Sequence, residues 1–166
     1  MIIVHTGDGK GKTTAAIGLA VRAFGSGLKV LILQFIKGGQ TYGELEALKL
    51  LPIEIRQCGL GFTSSGNFDD HKKAAAETLK VARDEILSGR WDMIILDEIN
   101  YAVKFALITE AEMLELLKIC PPELHLVFTG RNATEKLIDA ADLVTEMTLV
   151  KHPFQRGVTA QRGIEF

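Results

Sequence analysis

Gly7-Asp8-Gly9-Lys10-Gly11-Lys12-Thr13-Thr14 follows an apolar run at residues 1–4 and opens a helix-forming run at residues 14–24. Strand, glycine-rich turn and helix in that order are the setting in which a P-loop holds phosphates. Glycines let backbone N–H groups turn inward, and the helix N-terminus adds partial positive charge. Gly7, Asp8, Gly9, Lys10, Gly11, Lys12, Thr13 and Thr14 are therefore the ATP-binding candidates. Lys12 supplies a full charge and is a catalytic candidate. The Thr13 hydroxyl is a candidate ligand for a divalent ion riding on the phosphates. The usual pattern G-x-x-x-x-G-K-T is shortened by one residue: Gly7 and Gly11 enclose only Asp8, Gly9 and Lys10, and Thr6 stands in the first glycine's place. Such a tight loop is expected to hold a polyphosphate differently from an ordinary ATPase.

A chain of 166 residues, 47% hydrophobic, has material for one sizeable core, and a single domain over residues 1–166 is expected. The net charge of −2 argues against a broadly basic nucleic-acid binder. No signal peptide and no apolar span of about twenty residues is present, which excludes a membrane segment and points to the cytoplasm. Cys58 and Cys120 show no metal-binding spacing and read as small buried hydrophobes.

Short apolar runs alternate with helical patterns along the rest of the chain. Residues 30–35 (VLILQF) form a continuous apolar run of the kind buried on both faces of a parallel sheet. Further strands are expected at 53–57, 93–96, 124–128 and 143–148. Helices are expected at 43–51, 69–87, 99–106, 110–119 and 134–141. Thr109 with Glu112 makes a capping-box signature for the helix opening at Glu110. The alternation predicts an α/β fold with a mostly parallel sheet and helices on both faces.

Met93-Ile94-Ile95-Leu96-Asp97-Glu98 is the second chemical motif, an apolar strand ending in two acids as in a Walker B segment. Together with the P-loop it places Asp97 and Glu98 at the carboxyl edge of the sheet, where such folds bind ligands. Asp97 is a metal candidate. Glu98 is either a second metal contact, a base orienting water in a hydrolase, or simply a helix N-terminal acid favoured by the dipole.

The loop 58–67 (CGLGFTSSGN) leaves the same edge, and its glycines permit close approach to a bound molecule. Phe62 is an apolar side chain in polar surroundings, so it either folds back onto the core or walls a large apolar cleft. The segment from Lys151 to the end reads as neither helix nor ordinary strand. Phe154, Val158, Ile164 and Phe166 suggest that it docks on the domain rather than frays. His5 and His152 read as packed or solvated.

GDGKGKTTAA, QFIKG at residues 34–38, LDEINY at 96–101, TGR at 129–131 and the ending KHPF…GV.AQ.GIEF together resemble the ATP:corrinoid adenosyltransferases of the cob(I)alamin or cob(I)yrinic acid a,c-diamide type. The resemblance runs collinearly from the first strand to the last residue. It implies a RecA-like P-loop fold, a homodimer, and transfer of the 5′-deoxyadenosyl group of ATP to a corrinoid reduced to Co(I) by an electron-donating reductase, with triphosphate expelled. It also implies a triphosphate held in reversed sense. On this resemblance Thr13, Asp97 and Glu98 hold Mg²⁺ or Mn²⁺. Phe62 is a catalytic candidate that helps displace the lower ligand of cobalt. Family members commonly carry a tryptophan two residues after that phenylalanine, where this chain has Ser64, and many carry a helical extension before the first strand. Closure of the cleft is accordingly expected to depend on the 58–67 loop. The alternatives are a P-loop ATPase driving a partner protein and a binding module without turnover. Asp97 and Glu98 alone suit hydrolysis equally well.

Overall fold

The computed structural model describes residues 1–39, 42–61 and 67–165. Among them six strands form one all-parallel sheet: β1 (Ile2–Thr6), β2 (Val30–Gln34), β3 (Glu54–Gln57), β4 (Met93–Asp97), β5 (His125–Thr129) and β6 (Leu143–Glu146). Their spatial order is β3-β2-β4-β5-β1-β6. The connecting helices are α1 (Lys12–Gly25), α2 (Gly43–Leu48), α3 (Phe68–Leu87), α4 (Ile99–Lys104), α5 (Glu110–Ile119) and α6 (Glu135–Ala140).

Strand alternation divides the apolar residues between two cores. Val30, Ile32, Met93, Ile95 and Val127 face α1 and α2, where Ala16, Ala20, Ala23 and Leu48 meet them. Leu31, Leu33, Ile94, Leu96, Leu126 and Phe128 face the other way, against residues of α3, α4, α5 and α6. β2 and β4 are buried along their whole length, which explains why they read as unbroken apolar runs. At about 1.5–3 kcal/mol for each large side chain removed from water, these two strands hold the centre of the fold. The alanines of α1 let that helix approach the sheet closely, bringing its N-terminus over the carboxyl edge.

Several boundaries differ from the sequence expectation. β1 reaches Thr6 and β4 reaches Asp97, because pairing with their neighbours continues past the apolar residues: Thr6 lies opposite Glu146 and Asp97 opposite Gln34. α1 begins at Lys12, with Gly11 as N-cap at φ 115°. The capping box of Thr109 and Glu112 is present, each residue satisfying the other's backbone N–H. The thiols of Cys58 and Cys120 are half-buried rather than fully buried, and both are free. The carboxyl-terminal segment is more ordered than an irregular tail: His152 Nδ1 accepts from the Phe154 amide and opens a 3-10 turn, Pro153–Arg156. Phe154 and Ile164 are nonetheless exposed, so the docking expected of them is not made through those two side chains. Phe166 lies outside the described residues.

Edge strand β3 is tied to the body by a buried acid. Glu85 of α3 accepts from Arg56 Nη1 at 2.8 Å and Trp91 Nε1 at 2.7 Å, and also pairs with Arg90. Those partners hold its carboxyl below the ordinary range although burial opposes them.

Candidate active site

The P-loop is laced from within and braced from behind. Lys12 Nζ donates to the carbonyls of Gly7 at 2.7 Å and Gly9 at 2.5 Å. The Gly9 amide donates to Met147 O at 2.6 Å, so it is committed to the segment after β6 instead of facing a ligand as the motif suggested. A Cβ on Gly7 or Gly9 would come within 2.5 or 2.7 Å of Met147 O, and this close backbone approach is what the two glycines permit. The first amides of α1 lack intrahelical acceptors and remain free to meet an anion. Burial, and next Arg131, lower the affinity of Lys12 for its proton. Asp8 and Lys10 stand at the rim, 3.9 Å from Arg131 Nε and 3.8 Å from Glu165 Oε1 respectively.

Asp97 sits at the centre of a polar row that crosses the sheet. In register, Gln34 of β2 lies beside Asp97 of β4, and Thr129 follows the Leu96–Phe128 pair on β5. Asp97 Oδ1 accepts from Thr13 Oγ1 and Thr129 Oγ1, both at 2.8 Å, and Oδ2 accepts from Gln34 Nε2 at 3.1 Å. The carboxylate is 1% exposed. So thoroughly bonded an acid orients the Thr13 hydroxyl. Gln34 and Thr129 were not singled out as site residues from sequence. Their signal was a polar residue closing an otherwise apolar strand at the carboxyl edge.

Glu98 differs from its neighbour. It is the N-cap of α4 in the left-handed region, φ 63°, and its amide donates to Thr129 Oγ1 at 2.8 Å. Its side chain makes no capping bond, against the expectation for a simple helix N-terminal acid. Burial, and then the charge of Asp97, push its carboxyl up to about 7. Because this value lies above the unfolded one, the stability that Glu98 contributes is complete below pH of about 4.3 and is lost as pH rises through about 7. Glu98→Gln is thus expected to stabilise the metal-free protein by about 1–3 kcal/mol at pH 8 and not near pH 4.5. Urea unfolding without divalent ions at both pH values checks this, and an equal gap at the two would rule it out.

Thr13 and Glu98 open onto a cavity of about 750 Å³, a size suited to a nucleotide-sized ligand. Lys10, Lys12, Ile17, Ile36, Lys37 and Glu44 line it. Gly61, at the root of the loop singled out from sequence, also borders it, as do Ala160, Ile164 and Glu165 of the carboxyl-terminal segment. Sequence reasoning gave that segment no place in the site. Phe62 and Ser64 lie outside the described residues. Among the described residues, no cluster of three or more His, Cys, Asp or Glu is spaced to hold a metal unaided. The hard-oxygen set of Thr13 and Glu98, with an acid that lacks a full counter-charge, nonetheless fits a hard cation brought in on phosphates.

The loops after β2 and β3 are joined. Gly59 N bonds Gln34 O and Lys37 O, both at 3.2 Å, and Gly61 N bonds Ile36 O at 2.9 Å. Gly38 and Gly59 touch so closely that a Cβ on Gly38 would lie 1.8 Å from Gly59 O.

A family model described as ATP:corrinoid adenosyltransferase BtuR/CobO/CobP matches residues 1–166. A corrinoid adenosyltransferase of Sinorhizobium sp is 43% identical over 171 residues, covering 100% of this chain and 80% of its own. One from Pseudomonas aeruginosa is 40% identical, covering 100% of this chain and 83% of its own, and one from Escherichia coli K12 is 38% identical, with 100% and 85% covered. In fold, the chain is similar to a KaiC-like protein, PH0186, of Pyrococcus horikoshii OT3, at TM-score 0.53 and 15% identity over 91% of this chain and 73% of that one. With a shortened P-loop, two acids ending β4 and a whole-length match, this chain belongs to the ATP:corrinoid adenosyltransferase family.

Proposed function

We propose that the chain transfers the 5′-deoxyadenosyl group of ATP to Co(I) of a corrinoid and releases triphosphate. The observation that carries this reading is the meeting of the shortened P-loop, Glu98 and the loop root at Gly61 around one cavity. Cobalt of the corrinoid substrate is the nucleophile at C5′, so the protein needs to orient two substrates, exclude water and receive charge on the leaving triphosphate. Lys12 and the free amides at the start of α1 receive that charge. Thr13 and Glu98 would hold Mg²⁺, or Mn²⁺, which takes similar oxygen ligands. Asp97 acts behind them by aiming the Thr13 hydroxyl. The ion, when bound, screens the triphosphate charge. Phe62, which follows Gly61 in sequence, is assigned to the lower face of the corrin on the family resemblance.

We further assign the chain, as one domain, to a homodimer. Leu143, Val144 and Val150 on and after edge strand β6 are exposed, and an apolar edge of this kind suits a second copy. An electron-donating reductase supplies Co(I). The two free thiols suit a reducing cytoplasm, and no described helix is long and apolar enough to cross a membrane.

Anaerobic incubation with ATP and chemically reduced corrinoid tests the reading. A cobalt–carbon bond, seen in the visible spectrum, and triphosphate should appear in equal amounts, with slow turnover of ATP alone. ADP and phosphate as main products, at a rate indifferent to corrinoid, would replace the transferase with the P-loop ATPase.

A further inference from the structure

Lys37 is a further positive charge lining the cavity that the P-loop borders. It follows β2 in the joined pair of loops, and its side chain is only 15% exposed. Its Nζ donates to Glu44 Oε1 at 3.0 Å, lies 3.7 Å from Asp97 Oδ2 and sits 4.8 Å over the Tyr42 ring. An ammonium has three N–H donors. Among the described residues only Glu44 takes one of them at hydrogen-bond distance, and Asp97 is already bonded by Thr13, Thr129 and Gln34. Lys37 therefore lines the cavity with a cation that is mostly withdrawn from water, where its field is weakly screened.

Its α-carbon is fixed by backbone contacts, and its ammonium is held by Glu44. Lys37 O and Ile36 O on either side of its α-carbon accept from Gly59 and Gly61, and Gly38 is packed on Gly59. A charge held so rigidly needs no reorganisation when a substrate group becomes negative beside it.

We propose that Lys37 is a further catalytic residue, whose ammonium binds the triphosphate as it departs. This rests on the transfer reading above. In that step the Co(I) electron pair forms the Co–C5′ bond. The C5′–O bond breaks, and its pair stays on the bridging oxygen of the triphosphate, which gains one negative charge. Cobalt becomes formally Co(III). No proton or further reductant is needed. Lys37, Lys12 and Lys10 all line this one cavity, so the leaving group meets three cations there.

The bland role for Lys37 is to neutralise Glu44, and the test separates the two. Lys37→Met, Glu44→Gln and the double variant are compared for ATP affinity, thermal unfolding, and the rate of adenosylation of chemically prepared Co(I) corrinoid at saturating ATP. The double variant leaves no unpaired charge at Glu44, so it remains informative should Lys37→Met alone fail to fold. The double variant is expected to be slower than Glu44→Gln by about 10²–10³-fold, the range for loss of one group stabilising a developing anion. ATP affinity is expected to fall by less than about tenfold, because most ground-state contacts belong to the P-loop. A rate ratio below about threefold between the double variant and Glu44→Gln overturns the proposal and leaves charge balance as the role. A loss confined to ATP affinity, with the saturated rate unchanged, also overturns it, since uniform binding is not catalysis. Failure of the parent to form the Co–C bond brings down the transfer reading and this assignment together, and that outcome is visible before any variant is made.

Discussion

Replacing Lys12 with alanine is expected to weaken ATP binding by about tenfold to over a hundredfold, the equivalent of one charged hydrogen bond at roughly 1.5–3 kcal/mol. The structure raises the expected effect toward the upper end. Lys12 Nζ holds the carbonyls of Gly7 and Gly9, so alanine removes both the charge that meets the phosphates and the lacing that shapes their cradle. Thr13→Ala, by contrast, leaves that lacing in place and removes one donor to Asp97. Its defect should shrink as Mg²⁺ is raised, whereas that of Lys12→Ala should not. Calorimetric titration with ATP at two Mg²⁺ concentrations reads both variants. Unchanged affinity in Lys12→Ala is incompatible with residues 7–14 being the phosphate site.

Gly59→Ala is expected to cut adenosylation by about a hundredfold while ATP affinity stays within a few-fold of the parent, since misplacement of a reacting group by about 1 Å costs on that scale. A Cβ at this position would lie 2.2 Å from Ile36 O and 2.3 Å from Ile36 C. Both atoms are backbone, so no side-chain rotation relieves the clash. The loops must part, with loss of the bonds from Gly59 N and Gly61 N, each worth about 0.5–1.5 kcal/mol. The P-loop is held by Lys12 and by Met147 O, neither of which bonds these loops, which is why ATP binding should survive. The readouts are the Co(I) reaction rate, the ATP dissociation constant and the melting temperature. A Gly59→Ala protein that melts with the parent and turns over at its rate would show that the joined loops do not position the second substrate.

Much of this molecule is written in local patterns. The apolar runs at β2 and β4 announce strands buried on both faces, because no residue in them could face water without loss. The capping box at Thr109 and Glu112 depends on residues three apart, and the glycine loop before α1 carries its own turn chemistry. Such features involve neighbours along the chain, and their meaning survives without knowledge of the rest. The carboxyl edge as the candidate site, with the P-loop, Asp97 and Glu98 on it, followed from the same kind of reading.

The partners across the sheet were not written in this way. Thr13 and Asp97 are 84 positions apart, and Gln34 and Thr129 gained their roles only when parallel register set them beside Asp97. The amide of Gly9 was withdrawn from the phosphate site by Met147, a contact between segments that no spacing rule connects. Glu98 acquired its raised pKa from burial and from Asp97, although two adjacent acids on a surface would both stay ionised. Lys37, one lysine among the 19 basic residues, became distinct because two loops meeting at Gly38 and Gly59 hold it in the cavity wall. Local sequence thus determined the elements and the type of loop that binds phosphate. Tertiary structure alone decided which polar atoms are shared, which are left over and how strongly each charge is felt, because those depend on distance and on water excluded by residues remote in the chain.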